Sequence, residues 1–309
     1  MNTFELSLNC VHTVVEAADV AEVFGEANTP FAAFDGTFEP VGIERPICYY
    51  MNEVDKLMVE FVNTHRVLTL NQLWQLLQER LDRTLSRVQV DEWAQRLVEA
   101  AFLDRGDFRR GDRIVRKVYG IGRRGRGYIG SMCPGVHIAN HLSSMWEPLV
   151  DIPRLLSTNQ FLLNTCVPQD SFSVCRKVYV PDSNRSDTVF RANAVIEQTN
   201  RTTFVDAVRR APSAAERRAA EADLLGKLER INNVVTGGAQ IDIVNPGCVL
   251  IAEDMGHMRE LMQLCSRRRY RFELYFTADC LTYHTPENCL YAVEKRRNFL
   301  LALWTSIAS

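Results

Sequence analysis

The sequence predicts an α+β protein in which three amphipathic helices and a basic β-hairpin precede an α/β domain with a mixed sheet. Three observations carry this. Apolar residues between positions 51 and 101 recur at helical spacing. The period shortens to two on either side of the turn "RRGD" at 109–112. From 169 onward, strand-like stretches alternate with helix patterns. The expected domains are an extension (1–48), the helix and hairpin module (49–130), a helical linker (131–168) and the α/β domain (169–309).

The 309 residues, 46% of them hydrophobic, suffice for about two domains with sizeable cores. The longest apolar runs, "CVLIA" and "FLLALW", fall far short of the ~20 residues that span a bilayer. The start, "MNTFELSLNC", has no basic n-region. A cytoplasmic protein without membrane contact is expected, its nine cysteines held as thiols. Net charge is -2, which by itself predicts no affinity for nucleic acid. Its distribution is uneven: between Asp104 and Arg126, nine Arg or Lys stand against three Asp.

In "MNEVDKLMVEFVNTH" the residues Val54, Leu57, Met58, Phe61 and Val62 fall on one helical face. "TLNQLWQLLQERL" opens with Thr69 and Gln72, a capping-box spacing, and "SRVQVDEWAQRLVEAAFL" repeats it with Ser86 and Gln89. "FLDRGDF" and "RIVRKVY" then read as a hairpin. Three helices followed by a basic hairpin form a winged helix-turn-helix, which lays its third helix in the DNA major groove. The expected partner is double-stranded DNA. The candidate contacts are Arg87, Gln89 and Arg96 on the helix at 87–101, and Arg109, Arg110, Arg113, Lys117, Arg123, Arg124 and Arg126 on a wing spanning 105–126.

Gly120, Gly122 and Gly125 have the G-x-G-x-x-G spacing of a dinucleotide-binding loop. That fingerprint needs a helix opening at the glycines, and Gly130, Pro134 and Gly135 stand where it would run. The expectation is a tight loop that exposes three arginines to phosphate.

In the second half, "NHLSSMWEPLVDIPRLLSTNQFLLNTC" suggests helices broken at Pro148 and Pro153. Strands are expected at 170–180, 187–199 and 201–210, with a hairpin loop at 181–187. A long helix follows, with Pro212 at its start and Gly237 just past its end. Then come a strand (247–254), a helix (255–268), a strand (271–279) and a closing segment (290–304).

In "RKVYGIGRRGRGYI", "VFRANAVI", "TTFVDAVRR", "GKLERI" and "NPGCVLIAED", the chain resembles the replication-relaxation family of bacterial plasmids and integrative elements, over roughly residues 50–280. The resemblance implies a second domain similar to the restriction-endonuclease-like PD-(D/E)xK fold. It also implies a DNA-binding accessory role in the replication or transfer of a mobile element, with other replication or transfer proteins as partners. In an active nuclease of that type, an Asp on the second strand and Asp/Glu-x-Lys on the third bind Mg²⁺ and activate water. The matching positions here are Asn193, Asp206 and Val208, a degenerate set. Glu197, four residues from Asn193 on the same strand face, is the candidate for a displaced carboxylate. The leading expectation is therefore a non-catalytic protein without a cofactor. Mg²⁺ enters only with the alternative of a nuclease whose site has moved, and a protein-interaction scaffold is a third reading.

Other patterns point less far. Cys133, His137 and His141 would align three zinc ligands on a helix, but Pro134 and Gly135 interrupt it and no fourth ligand is near. No metal site is expected there or at the isolated pair Cys280 and His284, and Cys166 and Cys175 flank a loop without implying a bridge. "SRRRYRFE" at 266–273 is a second basic cluster suited to extending a DNA track. No Walker A, G-x-S-x-G or kinase signature is present.

Overall fold

The computed structural model describes residues 13–14, 36–43, 46–81, 84–132, 134–145, 148–165, 167–182, 185–211, 213–237, 243–283, 290–293 and 302–305. The chain is α+β, and its large sheet is mixed. It divides into two compact units: Phe34–Leu163, and Met1–Ala33 together with Asn164–Ser309. This boundary departs from the sequence-based one. Part of the expected extension and almost all of the expected linker belong to the first unit. Strand β1 (Thr13–Val14) belongs to the second.

The first unit begins with β2 (Thr37–Val41). Helix α1 (Glu53–His65) starts at a reciprocal cap, in which Asp55 N donates to Asn52 Oδ1 at 3.0 Å and Asn52 N donates to Asp55 Oδ2 at 2.9 Å. Met58, Val59, Phe61 and Val62 on α1 are buried, while Val54 and Leu57 pack against the core's edge. Strand β3 (Val67–Thr69) leads into α2 (Leu70–Leu81), whose start carries the expected pair of bonds between Thr69 and Gln72. Helix α3 (Arg87–Glu99) is capped by Ser86 and Gln89 and buries Val90, Ala94, Leu97 and Val98. Its C-terminal carbonyls are closed by Ala101, at φ 59°, and by Phe102 N donating to Leu97 O.

Strands β4 (Leu103–Arg110) and β5 (Arg113–Ile121) form the hairpin. Gly111, at φ 61°, leads the two-residue turn, as a first position with positive φ requires. The sheet order is β2-β4-β5-β3, all antiparallel, so residues 37–41 of the expected extension supply an edge strand.

Two expectations in this unit are corrected. A helix, α4 (Arg123–Met132), opens directly at the glycines where a loop was expected. Gly130 sits within it, and Pro134 and Gly135 lie beyond its end. The glycines permit close packing rather than a phosphate cradle. A Cβ on Gly122 would lie 2.6 Å from Ala101 O, and one on Gly125 would lie 2.2 Å from Phe102 O. Arg124 N at the helix start donates to Ala101 O, which occupies a donor that an anion would need.

The second correction concerns α5 (Pro148–Asn164), which is continuous and not broken at its prolines. Pro148 occupies the first helical position, where its missing N–H is harmless, and Pro153 is accommodated five residues on. The helix is part of the core. Asn159 Nδ2 donates to the carbonyls of His65 and Val67, and Gln72 Nε2 donates to Leu156 O at 2.7 Å.

In the second unit the first expected strand is two, β6 (Phe172–Val174) and β7 (Lys177–Asp182), separated where Cys175 takes φ 56°. The next is likewise divided into β8 (Arg185–Arg191) and β9 (Ala194–Gln198). Among the described residues, strands β7 and β8 pair with each other alone, forming the hairpin expected around 181–187. Strand β10 (Arg201–Ala207) is antiparallel to β9. Helix α6 (Ala214–Gly237) follows, its first turn capped by Ser213 and Glu216; Pro212 lies outside the described residues. Then come β11 (Gly247–Ala252), α7 (Met255–Ser266), β12 (Glu273–Ala278), β13 (Leu290–Val293) and β14 (Ala302–Thr305).

The sheet runs β1-β14-β13-β12-β11-β10-β9-β6, with β10, β11 and β12 mutually parallel and the other pairs antiparallel. Every residue of β11 is buried, as its unbroken apolar run requires of a strand covered on both faces. Among the described residues no helix is long and apolar enough to cross a membrane.

Candidate nucleic-acid interface

The basic run at 105–126 separates into arginines that hold the fold and cations that face outward. Arg105 binds Asp107 through two bonds of 3.0 and 2.9 Å, and this carboxylate is 1% exposed. Arg105 also donates to Gln95 on α3. Arg124 donates to Ile47 O and Ala100 O and lies 4.8 Å over the Phe102 ring. Arg109 is ion-paired with Glu39 of β2 at 2.9 Å. Burial and hydrogen bonding fix these three in place.

The outward set sits at the hairpin tip. Arg110 and Arg113 are both exposed and directly opposite in register. Lys117 is exposed further along β5, opposite Asp107 in register and so on the other strand face from Arg113. Between them the ladder shifts register, so Val115 forms a bulge and is 49% exposed. Sequence reasoning missed Val115, because the plain alternation in "RIVRKVY" gives no sign of the bulge.

On α3, Tyr119 OH donates to Asp91 and Arg105 reaches Gln95, so the edge of α3 that carries residues 91 and 95 abuts the hairpin. The exposed stripe Val88, Glu92 and Arg96 lies next to that edge. Arg87 is exposed, with its guanidinium 4.9 Å over the Trp74 ring. Gln89, a candidate DNA contact, accepts hydrogen bonds from Ser86 N and Ser86 Oγ, each 3.1 Å. Arg123 and Arg126 stand on α4 and not on the hairpin, a correction to the expected wing; Arg123 is exposed and Arg126 half-buried.

The nuclease-like positions are all in the second unit. Asn193 accepts a hydrogen bond from Ala207 N at 2.9 Å, which ties the end of β9 to β10. Glu197 is ion-paired with Arg176 and lies across from Thr202. Four residues of strand separate Thr202 from Asp206, about 13 Å, so Glu197 does not join Asp206 around one ion. Asp206 Oδ1 is 2.7 Å from Lys227 Nζ of α6, with the two side chains only 13% and 16% exposed. Asp206 thus meets an ammonium, which comes from a helix and not from position 208. "GKLERI" contained that lysine, but only the tertiary fold shows what it faces. Burial first and Asp206 second push the neighbouring Cys248 thiol up, so it stays protonated.

These residues do not fit a Mg²⁺ site. Among the described residues no three His, Cys, Asp or Glu side chains converge, and the only carboxylate of the set near Asn193 is held by an ammonium. Of the other patterns, Cys133, Cys166 and His284 lie outside the described residues. His141 Nδ1 is 2.6 Å from Asp104, and His137 is exposed.

No family model matches this chain, and no curated protein does. One solved structure that it matches is the protein VC1899 from Vibrio cholerae, with 11% identity, 90% of this chain covered and a TM-score of 0.30. The match spans 65% of that protein's length, and similarity this low carries no argument about fold or function.

Proposed function

We propose that the first unit is a winged helix that holds duplex DNA, in a non-catalytic accessory protein of a mobile genetic element. In this reading α1, β3, α2, α3 and the β4–β5 hairpin are the helix-turn-helix and its wing, and the second unit is a degenerate nuclease-like platform for other replication or transfer proteins. The carrying observation is the hairpin tip, where Arg110 and Arg113 face each other with Lys117 beyond them. Exposed guanidiniums and an ammonium along one hairpin are charge-assisted donors for a phosphate backbone. Arg96 and Arg87 on α3 add cations beside the hairpin. Val88, 67% exposed, and Val115 offer apolar contact to thymine methyl groups.

Fluorescence anisotropy of a labelled duplex, titrated at several salt concentrations, tests this reading. The triple variant Arg110→Ala, Arg113→Ala, Lys117→Ala is expected to flatten the slope of log K against log salt by about 2 to 3 units. An unaltered slope and affinity would make the hairpin a protein-contact surface instead.

A further inference from the structure

An open cavity of about 600 Å³ lies at the amino-terminal ends of β10, β11 and β12. Its size is that of a small-molecule site and well beyond what a lone inorganic ion fills. The rim is built by a short segment before β11 that is bonded to both neighbouring strands. Thr202 N donates to Val244 O at 2.7 Å, Asn245 Nδ2 donates to Asn200 O at 2.9 Å, and Glu273 N donates to Pro246 O at 3.1 Å. Asn245 takes φ 40°, in the left-handed region that asparagine adopts more readily than other side-chain-bearing residues.

The lining carries donors that have no acceptor among the described residues. Arg201 is pinned by Glu273 at 2.5 Å and lies over the Tyr275 ring, and its side chain is 11% exposed. Its Nε has no hydrogen-bond partner among the described residues. Tyr270 stacks on Phe272 with ring centroids 5.0 Å apart, and its hydroxyl is likewise buried without a partner. Arg271 is exposed, with its backbone N–H tied to Asn232 Oδ1. The one lining carboxylate, Glu273, is already engaged by Arg201 and by the hydroxyl of Tyr275. Two guanidiniums and an unsatisfied hydroxyl leave the cavity net positive, a demand for an anionic acceptor.

We propose that this cavity binds a mononucleotide, with its phosphate received by Arg201, Tyr270 and Arg271 and its base edge by the amides of Asn200 and Asn245. Part of the basic stretch 266–273 thereby serves a small-molecule site. Arg268 is not part of it, being paired with Glu229.

The test is isothermal titration of the full chain with each of the four ribonucleoside monophosphates, with inorganic phosphate, and with a ten-residue oligothymidylate. Saturable binding of at least one mononucleotide is expected. Tyr270→Phe, which keeps the ring, and Arg271→Ala should each weaken it at least tenfold. Thermal unfolding of both variants checks that they remain folded. Arg110→Ala with Arg113→Ala should leave this binding unchanged, which separates the site from the duplex-binding hairpin. Absence of saturable binding by every mononucleotide would overturn the proposal. So would equal affinity in the Tyr270 and Arg271 variants, phosphate binding as tight as the nucleotide's, or binding of the oligothymidylate alone.

Discussion

Alanine at Gly125 and alanine at Gly127 should have opposite effects, although the two positions share one helix. A Cβ on Gly125 lies 2.2 Å from Phe102 O and 2.8 Å from Ile121 Cδ1, so α4 must retreat by about 1 Å to restore van der Waals contact. That retreat breaks or lengthens the bonds from Gly122 N to Phe102 O and from Arg124 N to Ala101 O, about 1 kcal/mol each. Overpacking adds roughly 1–3 kcal/mol, and the better helix propensity of alanine returns about 1. The sum is a loss of about 2–4 kcal/mol. A Cβ on Gly127 meets nothing within 4 Å, so Gly127→Ala should stabilise by roughly 0.5–1 kcal/mol. Hydrogen exchange of peptides from residues 87–121 reads the first unit separately from the second. Opening energies for the two variants within 1 kcal/mol of each other would refute the close-packing explanation of these glycines.

Arg105→Ala should destabilise the same unit by about 3–5 kcal/mol, because it strands the buried carboxylate of Asp107; urea unfolding measures this. Lys227→Met should likewise destabilise the second unit, while the double variant with Asp206→Asn recovers part of the loss; a double-mutant cycle that shows no coupling would contradict the pairing. Acidification should weaken the first unit. Burial lowers His65 from 6.5 to about 4, so the folded chain takes up this proton less readily than the unfolded one. The associated stability is complete above pH 6.5 and falls by about 3 kcal/mol as pH drops to 4, and His65→Gln should flatten that decline in urea titrations. His257 in the second unit, lowered to about 4 chiefly by burial and then by Arg210, acts in the same direction.

The sequence by itself determined the elements whose signals are local. Capping boxes at Thr69 and Ser86, the 3.6-residue period of α1 and the Gly111 turn depend on neighbours within a few positions, and each lies where its pattern put it. Alternation and burial likewise marked the parallel strands β10 to β12. The tertiary structure decided everything that depends on distant partners. The glycines at 122 and 125 read alike as a phosphate loop or as a contact surface, and only the carbonyls of Ala101 and Phe102 distinguish the two. Prolines 148 and 153 looked like breaks because the pattern cannot show a helix anchored by Asn159 and Gln72. Cations alike in one run divided in space: Arg105, Arg109 and Arg124 engage Asp107, Glu39 and backbone carbonyls, while Arg110, Arg113 and Lys117 are exposed. Lys227 stands 21 positions from Asp206, yet its ammonium lies 2.7 Å from that carboxylate. A charge's role is set by its surroundings in space, and a linear pattern encodes those only over the few residues that a helix turn or a strand pair spans.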